Sequence, residues 1–93
     1  MYKIKVFKSF EKDVKKNPLP LMTQEWIEVM SCLIKGEKLP EKYKDHALHG
    51  DLKGYRDCHV FNDLVLLYRY SGEMLELHYL GSHNQAFAKA KKR

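Results

Sequence analysis

The chain has 93 residues, 44% of them hydrophobic, and a formal net charge of +5. That length allows one compact domain with a single core, the composition argues against disorder, and no apolar run approaches a membrane span. Two cysteines, Cys32 and Cys58, make neither a disulfide framework nor a zinc-binding spacing, and the N-terminus MYKIKVFKSF has no signal-peptide core, so a reduced cytoplasmic protein is expected.

The charge is uneven. Residues 1–17 carry six lysines against two acids, and residues 84–93 carry four basic residues and no acid. Between them, residues 18–83 hold seven basic and ten acidic residues, a net of −3. Basic ends around a mildly acidic body suit a polyanionic partner; lysine-rich helix exteriors kept for solubility would look the same.

Tyr2 to Phe7 alternates, with Tyr2, Ile4 and Val6 on one face, and reads as a half-buried strand. Ser9 is placed to cap a helix whose narrow apolar stripe is Phe10 and Val14, with Glu11 and Asp13 near its positive end. Asn17-Pro18-Leu19-Pro20 stops that helix. A second helix is predicted from about Leu21 to Lys35, burying Met22, Trp26, Ile27, Val29, Met30, Leu33 and Ile34, with Gly36 as its C-cap. Its Trp and Met residues suit a core, or alternatively a partner-binding face. Leu39 to Gly50 has no clean period and reads as an ordered loop with one helical turn near Glu41 to Lys44.

Three short strands follow, over Gly54–Val60, Leu64–Tyr70 and Met74–Leu80. Their turns are predicted at Phe61-Asn62-Asp63 and Ser71-Gly72. Pairing Tyr70 with Glu73 puts Leu64, Leu66, Tyr68, Leu75, Leu77 and Tyr79 under the helices. Val65, Leu67, Arg69, Met74, Glu76, His78 and Leu80 then take the other face. A strict turn at Phe61-Asn62 would send Asp57 and His59 to the helix side, an expensive place for them; a bulge near the turn reverses this and is preferred. Gly81 ends the last strand, and Ser82 can cap a short helix through Phe87 and Ala90, leaving a basic tail over 88–93. The expected fold is α+β, one domain over 1–93, in the order β-α-α-β-β-β: an antiparallel hairpin sheet packed on two N-terminal helices.

Four polar clusters can converge on this sheet: Asp45/His46/His49, Arg56/Asp57/His59, Asp63 and His83. Histidine suits proton transfer near neutral pH. An RNA phosphodiester is cut without metal or external water when one group removes the ribose 2′-hydroxyl proton and another protonates the departing 5′-oxygen. A cation such as Arg56 or Lys53 would steady the phosphoryl charge. Blander readings stand beside these: His46 as a loop hydrogen-bonder, His49 solvated, His78 on the surface, Arg56 paired with Asp57 or Glu76. Zinc on His46, His59 and His83 would use permitted ligand types, but no local spacing supports it, and no cofactor is expected.

The spaced motifs Asp45-His46-x-Leu48-x-Gly50, Lys53-Gly54-Tyr55-Arg56-Asp57-x-His59 and Gly81-Ser82-His83 with Phe87 resemble the YafQ-type branch of the RelE toxin superfamily. Asp63 before an apolar strand completes the resemblance, which covers nearly the whole chain. It implies a ribosome-dependent endoribonuclease of a toxin–antitoxin pair, with mRNA as substrate and the 70S ribosome and its RNA as partners. It also implies a cognate antitoxin, through which alone the toxin meets operator DNA, and no membrane association. The catalytic set implied is His46, His59, Asp63 and His83, with His83 the general acid. Lys53, Arg56 and Phe87 would bind substrate. Two positions depart from the family's pattern: Leu64 stands where an aromatic often follows the acid, and Tyr79 where an arginine is frequent. A non-catalytic RNA- or protein-binding module on the same scaffold is the alternative.

Overall fold

The computed structural model describes residues 1–84, so the predicted C-terminal helix beyond Asn84, Phe87 and the tail over 88–93 lie outside the described residues. β1 (Lys3–Val6) runs directly into α1 (Lys8–Lys16). Phe7, not Ser9, takes the capping position, and no side chain caps the helix. Phe7 is pinned in extended geometry by its amide on the Leu77 carbonyl, 3.0 Å, so the helix starts as soon as the strand ends. The prolines that stop α1 make a 3-10 turn over Leu19–Met22, which delays α2 to Gln24–Lys35. Thr23 caps α2 through its hydroxyl oxygen, which accepts from the Trp26 amide at 3.2 Å. Gly36 closes it in the left-handed region at φ 72°, where only a residue without Cβ sits comfortably against the Tyr2 ring.

Trp26, Val29, Met30 and Leu33 are buried, so the Trp and Met30 face is core, and Phe10 stacks on Trp26 at 6.0 Å to join the helices. Ile27 and Met22, predicted to be buried, are instead 62% and 80% exposed. The late start of α2 leaves Met22 outside the helix, and Ile27 falls one position off the stripe through Trp26, Val29, Met30 and Leu33.

The sheet has five strands in the order β1-β5-β4-β3-β2. Beyond β1 these are β2 (His46–Ala47), β3 (Arg56–Phe61), β4 (Leu64–Ser71) and β5 (Met74–Ser82). β2 lies in the stretch read as a loop; two residues carry no period to detect. β1 pairs parallel with β5 and the remaining pairings are antiparallel, so the α+β sheet is mixed, not a purely antiparallel hairpin sheet.

Register decides the rest. Ser71 pairs with Met74, so the β4–β5 turn is Gly72-Glu73, one residue later than predicted, with Gly72 at φ 58°. Leu67 pairs with Tyr79 but Tyr68 with Leu77, leaving His78 as an extra residue on β5. Leu66, Tyr68, Leu75 and Leu77 therefore face the helices as predicted, whereas Tyr79 is moved to the opposite face and Leu80 into the main core. A second bulge, at Val60, separates His59 opposite Val65 from Phe61 opposite Leu64. Cys58 and Val60 join the main core, and Asp57 and His59 point away from the helices. The preferred bulge is present.

Candidate active site

The face opposite the helices is only partly covered, by the loop carrying Leu48 and Leu52 and by Tyr55, which pack on Leu67 and Tyr79. Along one edge of this cover the structure gathers His46, Asp57, His59 and His83. β2 pairs with β3 so that His46 lies opposite Asp57, and strand alternation puts His59 two residues on along the same face. His83 follows the end of β5, and its ring centroid is 5.9 Å from that of His59. The site is thus assembled by β2, β3 and the end of β5.

Asp57 is the residue that the sequence reading left out of the catalytic set. It is 0% exposed, and among the described residues neither carboxylate oxygen receives a hydrogen bond. The His46 Nδ1 lies 2.9 Å from Asp57 Oδ1 but equally close, 2.8 Å, to the Lys44 carbonyl, which can only accept. We assign the Nδ1 hydrogen to that carbonyl and read the contact with Asp57 as electrostatic. Burial pushes the Asp57 carboxyl above its ordinary value, and His46, then His59 and His83, pull it back. A signal for Asp57 was available: it alternates with His59 inside the Arg56-Asp57-Cys58-His59 motif.

The remaining predicted residues divide. Asp63 sits in the exposed β3–β4 turn, and its Oδ1 accepts the His83 backbone amide at 3.4 Å, so it holds the base of His83 from across the sheet. Arg56 is not brought to the histidines. It lies on the helix side, where Nη2 and Nε donate to Asp45 at 3.0 and 3.4 Å and the Tyr68 hydroxyl donates to the same carboxylate. The hydrogen bond to Asp45 raises the Arg56 pKa further. Arg56 thereby fixes Asp45, the residue before His46. Lys53 is exposed just after the 3-10 turn Gly50–Leu52, and His49 is exposed. His78, read as a surface residue, is fully buried: it is covered by Phe7, stacked at 3.9 Å, and by Tyr55, edge-on, with Nε2 3.1 Å from Glu76 Oε1.

Chemically, three imidazoles of graded exposure share one buried anion. His46 and His83 are exposed and His59 half-buried, so a substrate can reach them while Asp57 supplies charge from below. Asp57, His59 and His83 also present one ligand atom each within 4.8 Å of one another, a set able to hold a cation. It differs from the zinc trio that the sequence raised without supporting by having Asp57 in place of His46.

Residues 2–88 match the family described as bacterial toxin of type II toxin-antitoxin system, YafQ. A putative toxin YafQ from Haemophilus influenzae is 44% identical over 72 residues, 73% of this chain and 71% of its own. An mRNA interferase toxin YafQ from Escherichia coli K12 is 45% identical over 49 residues, 53% of each chain. Among solved structures, a copper-bound mutant toxin from Helicobacter pylori is similar at TM-score 0.84 and 38% identity, over 91% of this chain and 98% of that one. An E. coli DinJ-YafQ complex is similar at TM-score 0.77 and 33% identity, over 94% and 99%.

Proposed function

The chain belongs to the YafQ family of bacterial type II toxin–antitoxin toxins, and on that footing we propose that it is an mRNA-cleaving endoribonuclease held in check by a cognate antitoxin. The observation that carries the chemistry is the convergence of His46, His59 and His83 around buried Asp57. A base takes the proton of a ribose 2′-hydroxyl, the 2′-oxygen bonds to phosphorus, the P–O5′ bond breaks, and an acid protonates the 5′-oxygen. The products are a 2′,3′-cyclic phosphate and a 5′-hydroxyl.

In this reading His83 is the general acid, with its backbone held by Asp63, and His59 and His46 share proton removal and phosphate positioning. Asp57 sets a buried carboxylate beneath the imidazoles, where it helps hold them in place around the substrate. Arg56 acts through Asp45 as a positioning residue, leaving exposed Lys53 as the cation nearer the substrate. Phe87 would stack on a nucleotide. The lysines of residues 1–17 and 84–93 support binding to ribosomal RNA, with cleavage at the decoding site of the 70S ribosome in the cytoplasm.

The test is His83→Gln in a translating extract. We expect cleavage to fall by about 10²–10⁴ with ribosome binding and fold retained; cleavage equal to the parent's sinks the acid assignment. A second reading rests on the Asp57–His59–His83 donors, two imidazoles and a carboxylate that fit a borderline cation such as Cu²⁺ or Zn²⁺. A cation held there would act as a Lewis acid on the phosphate. Under the acid–base reading it would instead occupy nitrogens needed for proton transfer. Chelation should therefore leave cleavage intact or raise it; loss on chelation, restored by metal, would favour the second reading.

A further inference from the structure

β2 covers β3 only at Arg56 and Asp57, so from Cys58 to Phe61 no described strand lies along the outer edge of β3. A cleft of about 280 Å³ opens beside that bare edge. Glu25 at the start of α2, Lys42 and Lys44 from the loop before β2, and His59, Phe61 and Asn62 from the β3–β4 hairpin line it. Its walls are tied together, because buried Tyr43 donates its hydroxyl to Glu28 on α2. The volume falls below the roughly 300–1,000 Å³ of pockets for drug-sized ligands, so the cleft suits one nucleotide of a longer chain and not a whole cofactor.

Two of these residues share an uncommon backbone. Among the described residues only Lys44, at φ 49°, and Asn62, at φ 47°, hold a positive φ without being glycine, and both line this one cleft. Glycine adopts that geometry without strain, asparagine with little and lysine with more. Backbone strain of this kind collects at ligand sites, and keeping a long cation and an amide there points to side chains that are used. The Lys44 carbonyl faces His46 Nδ1 at 2.8 Å, so its backbone already steadies the catalytic group. Its ammonium makes no ion pair among the described residues, whereas Lys42 lies 3.4 Å from Glu28 and Arg56 3.0 Å from Asp45.

The cleft meets the catalytic group at His59 and not at His83. With His59 acting on the side of the 2′-hydroxyl and His83 at the departing 5′-oxygen, the cleft lies toward the nucleotide that carries the attacking hydroxyl. We propose that it holds that nucleotide, the one immediately 5′ of the cut: Lys44 pairs with its phosphate, its base lies against Phe61, and the Asn62 amide reads the base edge. The inference rests on the endoribonuclease reading above and adds to it a nucleotide subsite and the residues that select where the chain is cut.

The experiment adds the intact protein to a translating extract and maps the new 5′ ends on mRNA by sequencing. Glycine keeps the backbone of either residue and removes only its side chain, so Lys44→Gly and Asn62→Gly should melt within about 4 °C of the parent. Lys44→Gly should lower cleavage about 10-fold, and Lys44→Arg should restore it to within about 3-fold of the parent. Asn62→Gly should lose about 10-fold of the discrimination among bases at the position 5′ of the cut. Where a glycine variant unfolds by circular dichroism, Lys44→Asn and Asn62→Asp, residue types tolerated at positive φ, take its place with the same expectations. Parent-like rates and cut sites in these variants, or an arginine that fails to rescue, overturn the subsite while leaving the endoribonuclease reading standing. Selectivity lost on the 3′ side of the cut, or loss of ribosome sedimentation by Lys44→Gly, also removes the nucleotide from the cleft. A parent that cleaves no mRNA sinks the endoribonuclease reading, and the inference with it.

Discussion

On the helix-covered face of the sheet, Cys58, Val60, Leu66, Tyr68, Leu75 and Leu77 meet Val29, Met30 and Leu33, and the polar groups at its margin are matched to partners. Asp45 takes Arg56 and Tyr68, and the Tyr70 hydroxyl donates to the Leu33 carbonyl at 2.7 Å. The opposite face of the same strands buries Asp57, Glu76 and His78 next to a small cluster of Leu52, Leu67 and Tyr79. Glu76 and His78 are paired with each other, and Arg69 donates to Glu76 at 2.9 Å. Burial would raise the Glu76 pKa, but those two bonds leave it lowered. Asp57 alone lacks such bonds among the described residues. One face holds the fold together, and the other carries a buried charge that does not help it fold. A buried carboxylate held without hydrogen bonds and faced only by imidazoles points to a working site.

The strongest way to press this contrast is to truncate neighbours on opposite faces. Leu66 and Leu67 are adjacent and both 0% exposed. Leu66→Ala should cost about 3–5 kcal/mol by urea denaturation, with cleavage per folded molecule unchanged. Leu67→Ala should cost about 2 kcal/mol, in the smaller cluster, and lower cleavage because it loosens the floor beneath Asp57. Equal losses of stability with equal activity would erase the distinction between the faces.

Asp57→Asn is expected to move stability and activity in opposite directions. Cleavage should fall at least ~10-fold, while the melting temperature rises by ~4–8 °C, corresponding to roughly 1 kcal/mol. The pH dependence follows from the raised carboxyl. The folded state holds the Asp57 proton more tightly than the unfolded chain, so this group's contribution falls as pH climbs from the ordinary aspartate value through the folded one. The melting temperatures of parent and Asp57→Asn should therefore converge at acid pH and separate toward neutrality. A variant less stable than the parent at pH 7 would show that the ionised carboxylate supports the fold.

Arg56→Ala gives a smaller effect. Since Arg56 faces Asp45 across the sheet, cleavage should drop about 10-fold through kcat, as His46 loosens, with KM unchanged. A change confined to KM would return Arg56 to the substrate-binding role. Lys53→Ala should be the mildest, about 3-fold and confined to low salt.

Much of this was legible in the sequence because period and chemistry agreed. The apolar run of β4, the alternation of β1, the helical spacing of Trp26, Val29, Met30 and Leu33 and the glycine after Lys35 each state a local preference that the fold keeps. What escaped were features one or two residues long. The bulge at His78 carries no composition signal, yet it exchanges Tyr79 with Leu80, and the cover that Phe7 and Tyr55 give His78 is equally silent in the sequence. The bulge at Val60 was inferable only from the cost of putting Asp57 and His59 under the helices. The placing of Arg56 against Asp45 was hidden for a related reason: which face it takes depends on that same bulge. His46, His59 and His83 were singled out by chemistry and resemblance, and the fold brings them together. Asp57 was left out because its alternation with His59 gave it the right face but not its burial.

The pairing of β1 with β5 sets an order of events for a chain being made. Lys3 lies beside Met74, and Val6 beside Leu77, a closure across some seventy residues of intervening sequence. Contacts so distant along the chain form late and slowly. The first strand waits without its neighbour until the last has been synthesised, and His83 follows that last strand. A chain in which β5 has not yet been made thus has neither a finished sheet nor His83 beside His59.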